Sequence, residues 1–191
     1  TEWQTVAESK DFRATSSYDE TVDLLRRLAA TSPAIRLEFF GRSAAGRPLP
    51  LVVVSARQSF TPEAAVRAGA PVLLIQSCIH AGEVDGKDAS LILLRDWTLE
   101  RRSLPSDVVV LFVPIFNADG HERVSPFNRP NQDGPVEGMG FRTTANGINL
   151  NRDHMRLASP EMRALIRLFN RWRPHLHVDN HVTNGSDHAW I

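Results

Sequence analysis

The spacing of apolar residues changes period along the chain, and each change marks an element. Tyr18, Val22, Leu25 and Ala29 recur at helical spacing. Ser17 and Glu20 stand ahead of them as a candidate capping box, and Ser32-Pro33 closes the helix. Residues 35–40 and 49–54 read as strands. The glycine-bounded polar connector from Gly41 to Pro48 predicts a hairpin between them. Residues 71–77 form a continuous apolar run, the pattern of a strand covered on both faces. A helix over about 84–100 follows, with Leu91, Leu94 and Trp97 among its apolar positions, and then another apolar run at 108–113. Strand–helix–strand order predicts parallel pairing. Ser159-Pro160-Glu161 opens a further helix carrying Met162, Leu165, Ile166 and Phe169. Pro174 ends it, and 176–179 reads as a strand. The sum is an α/β fold: a mixed, largely parallel central sheet flanked by helices, with an antiparallel edge. Residues 117–155 show neither period and are rich in Gly, Asn and Pro, as functional loops are.

Composition narrows the classes of function. The 191 residues suit one domain with a substantial core. Basic and acidic residues balance at 22 each, so no charge excess points to nucleic acid or an anionic membrane. Cys78 is the sole cysteine, which excludes an intramolecular disulfide and a cysteine-rich metal site. No apolar segment approaches the roughly 18 residues of a membrane span. The start, Thr1-Glu2-Trp3, has no initiator Met and no basic-then-apolar leader. The final stretch from Asn184 to Ile191 reads as a loop cut short. The expectation is one domain over 1–191, the N-terminal part of something longer.

The chemistry gathers just past the strands. His80 and Glu83 sit three apart at the mouth of the apolar run, with Gly82 between them to let the backbone turn. His181 follows the last strand. Two histidines and one glutamate leave a tetrahedral zinc with an open position, as in catalytic sites. His175, His177, Asp179 and His181 alternate onto one face if the strand continues, so periodicity alone does not choose the third ligand. Position favours His181, level with His80 at the carboxyl ends of parallel strands, where open α/β sheets collect ligands. His175 and His177 suit hydrogen-bonded, partly buried roles, and Asp179 can orient a ligand histidine or equally accept backbone or side-chain hydrogen bonds with no metal role. The segment from Phe141 to Asp153 places Arg142 and Arg152 around a turn rich in Asn and Gly. Two planar cations there can grip a carboxylate and a developing oxyanion, or simply be solvated.

Taken in order, H-x-x-E at 80–83, N-x-D-G at 117–120, R-x-x-A-N-G-x-N-L-N-R at 142–152 and a strand-end His181 resemble the zinc metallocarboxypeptidases, the carboxypeptidase A-like M14 peptidases. The resemblance runs from about Phe12, through Gly41-Arg42-Ser43 and Gly46-Arg47-Pro48-Leu49, to the last residues. The forms around His80 and His181 look most like a bacterial branch. It implies Zn2+ held by His80, Glu83 and His181. It implies that Arg142 polarises the scissile carbonyl and stabilises its oxyanion, and that Asn151 and Arg152 clamp the free α-carboxylate of a peptide substrate. Neither nucleic acid nor membrane is an expected partner, and a secreted or periplasmic location is expected.

Two departures accompany the resemblance. Asn149 stands where the best-known members have an Asp that hydrogen-bonds a zinc-binding histidine. Asn can accept the same bond without charge. The family's general-base glutamate and mobile tyrosine belong to segments beyond the third ligand that are absent from these 191 residues, and Glu137 and Glu161 do not replace them by motif. The expectation for this chain alone is zinc binding with little or no peptidase turnover. The competing functions are a zinc amidohydrolase or deacylase of N-acyl amino acids, and a noncatalytic module that holds zinc or a peptide terminus.

Overall fold

The computed structural model describes residues 3–130, 132 and 134–183. The expected terminal loop at 184–191 lies outside the described residues. In chain order the elements are α1 (Val6–Ser9), α2 (Tyr18–Thr31), β1 (Ile35–Arg42), β2 (Pro48–Val54), α3 (Pro62–Arg67), β3 (Val72–Gln76), α4 (Asp85–Thr98), β4 (Val109–Val113), α5 (Ala118–His121), α6 (Pro160–Trp172) and β5 (Leu176–Asp179). The caps explain where the helices start. Ser17 accepts from Glu20 N while the Glu20 carboxylate accepts from Ser17 N, the expected capping box. Ser159 accepts from Met162 N, with Pro160 in the first turn of α6.

The sheet order is β1-β2-β4-β3-β5. β1 and β2 form the antiparallel hairpin, and β2 is also antiparallel to β4. β4, β3 and β5 run parallel. The sheet is therefore mixed, with its parallel part on the side that carries the chemistry. Alternation along the strands sorts residues to two faces. Leu51, Val53, Leu74, Leu111 and Val113 pack under Met162, Leu165 and Trp172 of α6. Val52, Val54, Val110 and Phe112 pack under Leu25 and Leu28 of α2 and Leu91 and Leu94 of α4. Truncating a fully buried leucine here, such as Leu91, to Ala costs about 2–5 kcal/mol. Among the described residues, no helix is long and apolar enough to cross a membrane.

The long aperiodic stretch is more structured than its pattern predicts. It contains α5, a 3-10 turn over Leu150–Arg152 and a bridge between Ser125 and Met139. These pieces are too short to display a hydrophobic period, and side chain–backbone hydrogen bonds fix them instead. Asn117 Oδ1 accepts from Gly120 N, and Asn149 Oδ1 accepts from Asn151 N.

Candidate metal centre

β3 and β5 are hydrogen-bonded neighbours, with Gln76 opposite Asp179. Their carboxyl ends deliver His80 and Glu83 from the β3–α4 connection and His181 from the residues just after β5, 98 positions later than Glu83. One ligand atom from each of the three lies within 4.8 Å of the others. His80 Nδ1 is 2.9 Å from Glu83 Oε1, and His181 Nδ1 is 2.9 Å from Glu83 Oε2. The two imidazole rings meet at 4.9 Å between centroids. His80 and Glu83 are buried and His181 is half-exposed, so the centre opens on one side. A cleft of about 930 Å³ lined by Gly82, Val84, Asp85, Gln132 and Thr183 adjoins it.

Both histidines turn Nδ1 inward, which leaves Nε2 for outer partners. Asp179 Oδ2 sits 3.0 Å from His181 Nε2, the orienting role expected of it. Asp179 Oδ1 also accepts from Gln76 Nε2 at 3.0 Å. His80 Nε2 meets the Asn151 amide at 3.3 Å. Asn149 Oδ1, expected to accept from a ligand histidine, turns back to cap the 3-10 turn, and Asn151 reaches His80 in its place through the amide nitrogen, so this contact is a donation to Nε2 and the reverse of the acceptance expected of Asn149. His175 Nδ1 accepts from Val72 N, and the His177 ring stacks edge-on against Phe169, so neither belongs to the donor set.

Burial alone would raise the Glu83 carboxyl. Hydrogen bonds from His80 and His181, the charge of His80 and the Val182 N–H outweigh it and hold the pKa at about 2. An ionised carboxylate between two inward Nδ1 atoms is a donor set suited to a zinc-like cation. Gly82 lies in the turn expected of it, closed by Glu83 N donating to His80 O at 2.9 Å, and is also needed there for room. A Cβ at Gly82 would lie 2.8 Å from Arg129 Cδ and 2.9 Å from Gly140 O, so the residue keeps room for the long loop to cross the metal-binding turn. The left-handed backbone falls instead on Cys78, at φ 58. Its buried thiol is pushed up to about 12, chiefly by desolvation, which removes it as a nucleophile.

The N-x-D-G segment joins the loops around this centre. Asn117 Nδ2 donates to Arg142 O, fixing the backbone that bears the first arginine. Asp119 is buried and accepts from Ser43 Oγ, Ala45 N and Arg47, which ties down the β1–β2 hairpin. Gly120 has no room for a side chain, since a Cβ would fall 2.3 Å from Phe141 O. Behind the centre Lys87 Nζ is fully buried and donates to Ser16 O and to His121 Nε2. Arg142 is exposed, and its pKa is lowered by partial desolvation and then by the charge of Arg129. Arg152 is exposed and donates to Asn151 O.

A half-parallel α/β sheet with two histidines and a glutamate past its strand ends has the layout of a mononuclear metallohydrolase. The comparisons narrow that class. The profile of the zinc carboxypeptidases, Peptidase_M14, matches residues 21–167, and the chain belongs to that family. Carboxypeptidase 2 of Trichophyton rubrum is 28% identical over 168 residues, covering 85% of this chain and 28% of its own length. A probable carboxypeptidase 2 of Trichophyton verrucosum is 29% identical over the same span. The chain thus spans under a third of the curated relatives it matches. Among solved structures, carboxypeptidase A from Helicoverpa armigera superposes with a TM-score of 0.68 at 22% identity, covering 88% of this chain and 46% of that one. A Burkholderia cenocepacia metallo-carboxypeptidase gives 0.67 at 21%, covering 90% and 42%. These likenesses show the shared fold. The matched curated relatives are fungal, so the bacterial likeness read from the sequence gains no support from them.

Proposed function

We propose that this chain is the zinc-binding part of a metallocarboxypeptidase that releases residues from the free C-terminus of peptides. The observation that carries this is the convergence of one ligand atom each from His80, Glu83 and His181 within 4.8 Å, in a chain of the zinc carboxypeptidase family. His80, Glu83 and His181 hold the zinc. When bound, it supplies Lewis acidity toward the scissile carbonyl and the attacking water. Arg142 faces the carbonyl oxygen and stabilises the negative charge it gains. Asn151 and Arg152 hold the substrate α-carboxylate and so align the last peptide bond. Asp179 keeps His181 turned toward the cation.

The general base is proposed to come from chain that follows Ile191. Glu83 is committed to the donor set, and Asp179 to His181 and Gln76. On this reading the 191 residues alone bind zinc and turn over little or no peptide, and the full-length protein is the enzyme.

Hydrolysis of matched free-acid and C-terminally amidated peptides by the full-length protein tests the substrate assignment. A strong loss on amidation is expected, together with a raised KM for the free acid in Arg152→Ala. Indifference to amidation would remove the clamp and favour an amidohydrolase of broader reach. Zinc bound by the full-length protein without turnover of any peptide would favour a noncatalytic binding module.

A further inference from the structure

The long loop sends a further arginine to the centre, one that none of the sequence motifs contains. The stem of Arg129 crosses Gly82, and its Nη2 donates to Glu83 Oε1 at 2.7 Å, the same oxygen that faces His80. Arg129 Nε donates to Gln132 Oε1, and Gln132 Nε2 donates to Thr183 O, two residues after His181. The side chain is only 12% exposed. A largely buried cation therefore shares a carboxylate with the proposed zinc, and a chain of hydrogen bonds links it to both sides of the centre.

We propose that Arg129 is a positioning residue whose charge sets the affinity of the metal centre, a role that rests on the zinc reading above. Two effects oppose each other. The hydrogen bond helps to orient Glu83, which favours metal binding. The fixed positive charge withdraws electron density from Oε1 and repels a dication in a partly desolvated site. Orientation is secured twice over, because Val182 N donates to Glu83 Oε2 at 3.2 Å and the two imidazoles face the carboxylate on either side. Among the described residues that hydrogen-bond Glu83, Arg129 is the one that carries a fixed positive charge. The charge effect therefore dominates. Arg129 weakens zinc binding and keeps the ligand carboxylate compensated.

The test is zinc affinity, measured by chelator competition on the full-length protein at fixed pH and ionic strength. Arg129→Gln keeps an amide donor and removes the charge, Arg129→Ala removes both, and Arg129→Lys keeps the charge. Arg129→Gln and Arg129→Ala are expected to bind zinc about tenfold more tightly or better. Arg129→Lys should stay within about threefold of wild type, since it alters only the geometry. Should Arg129→Ala fail to fold, Arg129→Gln against Arg129→Lys carries the comparison. Zinc binding in Arg129→Gln that equals or falls below wild type would overturn the proposal and leave the zinc reading intact. A wild-type protein that takes up no zinc would overturn both.

Discussion

Asp179→Ala separates metal affinity from fold stability at one carboxylate. Asp179 Oδ2 holds His181 Nε2 at 3.0 Å, and Oδ1 accepts from Gln76 Nε2 at 3.0 Å. Removing the first contact frees a half-exposed imidazole to turn away from the centre. Loss of such an outer partner lowers metal affinity by about 10–100-fold, or about 1.4–2.7 kcal/mol. Removing the second contact strands a fully buried amide whose Oε1 already lacks a partner. That costs about 1–3 kcal/mol of stability whether or not metal is present. Asp179→Asn can satisfy only one of the two donors, so it should fall between wild type and Asp179→Ala. Chelator competition reads the first quantity, and thermal unfolding with and without zinc reads the second. A drop in melting temperature with unchanged zinc affinity would refute the orienting role and reduce Asp179 to an anchor for β5.

Three further outcomes follow from the geometry. Arg142→Ala in the full-length enzyme should lower kcat by about 10²–10³-fold with a smaller change in KM, as steady-state kinetics would reveal; an effect confined to KM would contradict its place at the oxyanion. Gly82→Ala should lose about 1–3 kcal/mol in denaturant unfolding, because its Cβ meets Arg129 Cδ and Gly140 O; unchanged stability would mean that the loop yields freely. Burial, then the charge of Lys87, hold His121 at about 4 against an ordinary 6.5. A base depressed in the folded state stabilises the fold above its unfolded pKa, and that stability is lost as pH falls from about 6.5 through about 4, on the order of 3 kcal/mol. His121→Gln should flatten that limb of the stability–pH curve relative to wild type, and parallel curves would exclude His121 as its source.

What could be read from the sequence was what repeats or caps locally. Ser17 with Glu20, the apolar runs of β3 and β4, and the spacing in α6 declare themselves within a few residues. His80, Glu83 and His181 were legible because strand ends in a parallel sheet are a place, not merely a motif. The contact between Arg129 and Glu83 spans 46 positions and has no local signature. The exchange between Asn149 and Asn151 was hidden for another reason. Two asparagines two apart offer the same chemistry, and only the backbone of the 3-10 turn decides which one caps and which one reaches His80. The turn at Gly82 was legible, whereas the lack of room for a side chain was not, because it comes from an arginine stem that arrives from elsewhere in the chain.

The pairing of β3 with β5 has a kinetic consequence. Loop-closure entropy delays contacts between distant segments until much of the intervening chain is organised. His181 therefore joins its partners only when the last parallel strand docks, and an ion captured earlier would have two ligands at most. Metal uptake should accompany the slow phase of refolding, which makes a chromophoric cation such as Co2+ a reporter of the final assembly step.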